Sequence, residues 1–442
     1  MSRSVFSEPI MMRRFFLVAS ALLAAPFALA EQLYNVETME LFRKLPQQQA
    51  FLDMLSGKSA PTNAKLLDLA AEFYVYRATW ADLQNGAVKR GADTFTMHDY
   101  IDEFDKQMSK VAGSKNQAFI DAFAPRLVKK FEDIVKLDFN NEFDRRSILY
   151  GVQLFPALGR LPHESVGRFF YETMTDSKKH DVLKLWAIKG LYEQFPLVPI
   201  DDGNWKEPKH EARRANDARR VDELVKFIFR PKPENLDERA YVYLRREAIQ
   251  TLANTRVPAV SLVKAIGKEE GPVAPTLIRI LSRKHDMTPP PTFAEKLEAA
   301  IGLLDMRYNP QRYDPNPGLY AAGQFLLEMV GKYQEDQPNL KSPPTPGALK
   351  KPAITPWKLQ GARLERIVQE STRGSMDAKF PPPMNPATPL SKALIGAKDA
   401  PLLESIAKAM KNYDALGQHA ASLRSVVGAW KEPAPNVFLN LK

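Results

Sequence analysis

Apolar residues along this chain recur every three or four positions, and they do so almost from end to end. That period is the pitch of an α-helix, and no run alternates as a half-buried strand would. The clearest instance is the stretch from Arg239 to Pro258, where Tyr241, Leu244, Ala248 and Leu252 form one stripe with Ile249 beside it. Asn235 and Glu238 have the spacing of a capping box and predict a helix starting near Leu236, while Asn254, Thr255 and Pro258 predict its stop. Val221, Leu224, Val225 and Ile228 carry a second stripe, parted from the first by Pro231 and Pro233, which is the pattern of a helical hairpin. Small Ala248 beside Ile249 allows a neighbouring helix to approach closely.

The same period runs through residues 31–140. Leu66, Leu69, Phe73 and Tyr76 mark one helix, Tyr100, Ile101, Phe104 and Met108 another, and Phe119, Phe123, Leu127, Phe131 and Ile134 a long third. The stretches from Gly57 to Thr62 and from Asn85 to Gly91 hold the breakers. From residue 141 a motif recurs. Leu183-x-x-x-Ala187-Ile188-x-x-Leu191 matches Leu244-x-x-x-Ala248-Ile249-x-x-Leu252, Ala300-Ile301-x-x-Leu304 keeps its second half, and Phe143-x-x-x-Ser147-Ile148 is an earlier degenerate copy. The spacings from isoleucine to isoleucine are 40, 61 and 52 residues, so further helices or insertions must separate the units. Over residues 141–336 these copies resemble the inner helices of HEAT and armadillo-like repeats. The resemblance implies an all-α fold, an α-solenoid-like stack of helical hairpins that presents a surface to a partner. An irregular all-α globule is the other arrangement compatible with the pattern.

Prolines then interrupt the chain. Residues 337–356 contain Pro338, Pro343, Pro344, Pro346, Pro352 and Pro356 and read as a linker. Residues 357–442 return to helix, with a second proline-rich break at 374–389. At the other end, Arg13-Arg14 precedes an apolar run from Phe15 to Phe27 that closes on Ala28-Leu29-Ala30. A basic start, a short apolar core and an A-x-A site predict an export signal peptide over 1–30, by the general secretory route rather than the twin-arginine one. No later run is long and apolar enough to span a bilayer, so no transmembrane anchor is expected after cleavage. The expected destination is the periplasm or the exterior.

The net charge of +10 includes +2 from Arg3, Arg13 and Arg14 against Glu8, which leaves about +8 for the exported part. Outside the cytoplasm such an excess favours a protein, an anionic polymer or an envelope surface as partner over nucleic acid. The candidate contact residues are Arg213, Arg214, Arg219 and Arg220 before the focal helix, and Arg245 and Arg246 on it. Planar guanidinium forks suit carboxylate and sulfate groups. Interleaved acids, with Arg213 spaced for Asp217 and Arg219 for Glu223, give the other reading, a salt-bridged solvated face.

Other chemistries find little footing. The chain has no cysteine, which removes thiol nucleophiles and disulfides. His98, His163, His180, His210, His285 and His419 stand apart, without the spacing of a zinc site. No cofactor or metal is therefore expected. Asp99, Asp102, Glu103 and Asp105 sit on adjacent helical turns and read as a polar helix face, since a glycosidase needs carboxyls across a cleft. Ile367-Val-Gln-Glu370-Ser371 with Met384-Asn-Pro386-Ala387-Thr388 is similar to lytic transglycosylases, in which a Glu before a Ser is the acid, but the family's Gly-Leu-Met-Gln segment is absent. The expected function is an exported, non-enzymatic scaffold or binding protein. The alternative is an all-α enzyme acting on acidic polysaccharide or peptidoglycan.

Overall fold

The computed structural model describes residues 33–90, 93–114, 116–195, 208–263, 268–282, 286–306 and most of 317–331. The expected signal peptide, the 337–356 linker, and the 357–442 region with Glu370 and Ser371 lie outside the described residues. The protein is mostly helical with few strands, as the period requires. It forms two compact units that part between Gln194 and Phe195, inside the 141–336 stretch.

The first unit begins with α1 (Val36–Arg43), α2 (Leu45–Leu55) and α3 (Ala64–Val75), the last running into a 3-10 turn over Tyr76–Thr79. Gly57, at φ +78, makes the turn after α2 where a side chain would be strained. After the short α4 (Ala81–Gln84) comes a hairpin in the stretch expected to be a breaker. β1 (Ala87–Arg90) and β2 (Asp93–Thr96) pair antiparallel, with Val88 opposite Phe95. Each strand is four residues long, so it holds too few alternations to stand out from helical neighbours.

Next come α5 (Met97–Gly113) and α6 (Gln117–Ile134). Thr96 and Asp99 form a reciprocal capping box at the start of α5. Asn116 caps α6 through the Phe119 N–H, while its amide donates to the Met54 carbonyl at 2.9 Å and ties α6 to the end of α2. The predicted stripe Phe119, Phe123, Leu127, Phe131 and Ile134 is wholly buried. Phe51 meets Phe119 and Phe123 nearly edge-on at 5.4 Å, the favoured aromatic geometry. Arg77 is also buried in this core: Nε donates to the Phe73 carbonyl at 3.0 Å, and the guanidinium lies 4.2 Å from the Phe73 ring and 4.8 Å from the Tyr100 ring.

α7 (Glu142–Val152), α8 (Phe155–Gly159), α9 (Glu164–Thr175) and α10 (Asp181–Gln194) complete the unit. A Cβ on Gly159 would stand 2.4 Å from the Gly190 carbonyl oxygen, so α8 and α10 touch backbone to backbone. The Gln194 amide donates to the Gly159 and Leu161 carbonyls, both at 2.6 Å, and holds the α8–α9 turn against α10.

The second unit contains α11 (Pro208–Phe229), α12 (Glu238–Ala253), a second antiparallel hairpin of β3 (Ala259–Val263) and β4 (Lys268–Pro272), α13 (Ala274–Leu281) and α14 (Phe293–Leu304). α12 packs on α11 and α14. The expected start near Leu236 moves two residues on. Asp237 is the cap, and its carboxylate accepts from the N–H groups of Arg239 and Ala240. Tyr241, Leu244, Ala248, Ile249 and Leu252 are core, none more than 4% exposed. All four copies of the recurring motif lie on helices (α7, α10, α12 and α14), and each small-residue–Ile pair is buried: Ser147-Ile148, Ala187-Ile188, Ala248-Ile249 and Ala300-Ile301.

Candidate functional site

The six candidate arginines meet different fates. Arg245 corrects the expectation of a partner-facing side chain, because it is fully buried. Its Nε and Nη2 reach the two carboxylate oxygens of Glu295 at 2.5 and 3.0 Å, and Nη1 and Nη2 donate to the Pro289 and Pro290 carbonyls at 2.8 and 3.2 Å. Glu295 is itself the reciprocal partner of Thr292 in the capping box of α14. A guanidinium so saturated holds the fold together and offers nothing to a ligand. Arg220 is likewise nearly buried, with Nη1 2.7 Å from Asp217. Arg246 is at the surface, 3.7 Å from Glu247 and over the ring of half-exposed Tyr243. Arg219 is exposed on α11. The side chains of Arg213 and Arg214 lie outside the described residues. Glu223 holds Lys226, three residues on, where Arg219 was the expected partner, and Asp217 holds Arg220; the expected pairing of Arg213 with Asp217 lies outside the described residues.

The acidic run on α5 divides as a polar helix face should. Asp99 caps, and the Thr96 hydroxyl bonded to it lowers its carboxyl's affinity for a proton. Glu103 receives Arg77 Nη1 at 3.0 Å. His163 caps α9 by accepting the Ser165 N–H, and burial pushes its pKa down against the pull of nearby Asp121. His180 stacks on Phe139 at 3.9 Å. His285 lies outside the described residues. Among the described residues no group of three or more His, Asp or Glu is placed to hold a metal ion, and no helix is long and apolar enough to cross a membrane.

Two features emerge that sequence reasoning did not find. One is a polar cluster in the first unit. Arg160, on the turn that Gln194 clamps, donates to Asp105 at 2.8 Å and to Ser109 at 2.9 Å, and its Nε lies 3.8 Å from Glu193 on α10. Burial pushes the Glu193 carboxyl up, Arg160 opposes the shift, and Asp105 adds to it. Asp105 and Ser109 share a helix face by their spacing, but Arg160 and Glu193 join them only through packing.

The other is an apolar surface on α1 and α2. Among the described residues six large apolar side chains are exposed, and four of them, Val36, Leu41, Leu45 and Leu52, belong to these two short helices. Leu45 is 81% exposed, while its neighbours Phe42 and Phe51 are buried at 2% and 1%. α1 and α2 thus carry apolar residues on the core side and on the opposite side. Leu41 next to Phe42 is the local signal, since an amphipathic surface helix puts a polar residue on its outer face. Compared with family models, with curated proteins and with solved structures, the chain matches none.

Proposed function

We propose that this chain is an exported, non-enzymatic binding protein or scaffold that engages its partner on a helical surface, and that its motif-bearing helices belong to an α-solenoid-like stack. The observation that carries the reading is the exposure of Val36, Leu41, Leu45 and Leu52 on two successive short helices, four of the six large apolar side chains exposed among the described residues. Clustered apolar exposure of this kind marks a contact surface. The excess of basic residues, with exposed Arg219 and half-exposed Arg246 among them, supports an acidic polymer or envelope surface as a further partner.

A photo-crosslinking residue in place of Leu45 tests the reading. A discrete adduct forms in intact cells, while the same residue in place of exposed Lys58 forms none. Absence of any adduct at position 45 overturns it. Retention on a sulfated or uronate polymer that disappears on raising salt tests the acidic-polymer branch.

A second reading has one observation in its favour. Glu193, raised by burial and set beside Asp105 and Arg160, has the character of a proton carrier for an all-α enzyme on acidic polysaccharide or peptidoglycan. Peptidoglycan turnover that is lost in Glu193→Gln supports that reading, and turnover absent from the parent protein removes it.

A further inference from the structure

Histidine stands at the start of two consecutive helices, α9 and α10, where serine, threonine, asparagine or aspartate is the usual cap. His163 accepts the Ser165 N–H on Nδ1 at 3.1 Å, and His180 accepts the Val182 N–H on Nδ1 at 3.2 Å. The geometry is the same twice. The ring nitrogen takes the N–H two residues on, and the histidine carbonyl takes the first bonds of the helix, from Val166 in α9 and from Leu183 and Lys184 in α10.

Each ring is also held against α6 or the loop that follows it. His163 Nε2 lies 3.9 Å from Asp121 near the start of α6, and the His180 ring stacks at 3.9 Å on Phe139, in the loop after α6. The Lys179 ammonium donates to the Val135 carbonyl at 2.8 Å. The two histidines therefore fasten the α9–α10 hairpin on either side of α9, which itself packs on α6 and α10.

A neutral imidazole accepts on Nδ1. A protonated one has two N–H donors and no acceptor, so protonation deletes the capping bond. It also sets a positive charge against the positive end of the helix dipole. His163 faces Asp121 on α6, with Glu164 and Arg168 on its own helix. Burial outweighs the two carboxylates and holds the ring's affinity for a proton down. Around His180, Asp181 pairs with Lys184 at 3.3 Å, Lys179 is bonded to Val135, and Asp138, beside Phe139, accepts from the Asn140 N–H.

We propose that His163 and His180 form an acid-sensitive latch. With both rings neutral the α9–α10 hairpin is capped and closed on α6, and with both protonated it loses its caps and opens more readily. The face it uncovers is aromatic, since Phe169 of α9 lies against Phe131 of α6 with ring centres 6.3 Å apart. The stabilisation from His163 is full above the ordinary histidine value of about 6.5 and is lost as pH falls through the lower folded value. Glu193, at the far end of α10, works in the opposite sense, because its raised carboxyl stabilises the fold in its protonated form. A residue-resolved measurement separates the two.

Hydrogen exchange of the full chain, read by mass spectrometry as protection factors at about pH 7.5 and about pH 5, brackets the histidine range. Protection in α9 and α10 should fall about fivefold for each cap lost, ~25-fold for both, while α12 and α14 of the second unit keep theirs. His163→Asn with His180→Asn keeps an acceptor at both caps and removes the titration, so the fall should vanish. A hairpin equally protected at both pH values overturns the latch. So does a fall shared by α12 and α14, which is general acid unfolding, and so does a fall that persists in the double Asn variant. NMR of isotope-labelled histidine in the parent covers the case in which that variant does not fold. One ring should titrate below the ordinary histidine value, as the burial of His163 requires, and rings that all titrate at or above it overturn the latch.

Discussion

Among the described residues one arginine in each unit is completely buried, and the two are compensated in different ways. Arg245 in the second unit faces a carboxylate as buried as itself and fills its remaining donors with two proline carbonyls. Arg77 in the first unit bonds one carbonyl and one oxygen of Glu103, which is 38% exposed, and rests against the faces of Phe73, Tyr100 and Phe95. Its Nη2 has no protein partner within hydrogen-bond distance. The second unit thus depends on a closed ion pair that fails if either member is removed. The first spreads the compensation over aromatic faces and a carboxylate that reaches solvent, so no single contact carries all of it.

The sharpest way to break this contrast is Glu295→Ala. It strands a buried guanidinium and removes the reciprocal half of the capping box of α14, and should destabilise the second unit by about 3–5 kcal/mol in urea unfolding. Arg245→Met combined with Glu295→Met should recover most of the loss, since no uncompensated charge remains.

In the first unit Gly159→Ala should do more damage than Glu103→Gln or Glu193→Gln, because the new methyl meets a backbone carbonyl, which cannot rotate away. Overpacking of this kind costs ~1–3 kcal/mol, read as a lower midpoint of thermal unfolding. Glu103→Gln should cost only about 1 kcal/mol, since the amide oxygen still accepts from Arg77 and water reaches the site. A loss as large as that of Glu295→Ala would erase the contrast between the two arginines.

The smallest expected effect is a slope with pH. The folded pKa of Glu193 is raised, so the folded form holds its proton more tightly than the unfolded chain does. Its contribution to stability is full below the unfolded pKa and is lost as pH rises through the folded one. Denaturant titrations across the acid range should therefore show Glu193→Gln gaining relative to the parent as pH rises toward neutral. A parallel pair of curves would mean that Arg160 fully offsets the burial.

Much of the fold was legible because period survives packing. The stripes on α6 and α12 are buried as their spacing predicts, as are Tyr100, Phe104 and Met108 on α5 while Ile101 is partly exposed, and the worn motif falls on helices each time. The two hairpins were not legible. Four- and five-residue strands carry one or two turns of alternation, and their pairing is a contact made through space. The fate of the arginines shows the same limit. Arg245 and Arg246 are adjacent and identical in type, yet about 100° apart around the helix axis. Arg245 falls between Tyr241 and Ala248 on the apolar stripe, so its position pointed inward. What licensed its burial was Glu295, fifty residues further on. The polar cluster about Arg160 had the same obstacle, being assembled from three separate elements.

By itself the sequence determined that the chain is helical, where most of its helices run, and which faces of them are apolar, because those properties depend on residues three or four apart. Only the tertiary structure decided which charges are structural and which apolar residues stay outside. Leu45 and Phe51 are equally apolar and lie about 120° apart around α2, Leu45 on the face of Leu52 and Phe51 on that of Met54 and Leu55, so two faces of the helix carry apolar residues. Phe51 is buried because α6 arrives with Phe119 and Phe123 to cover it, and Leu45 is exposed because no described element covers it.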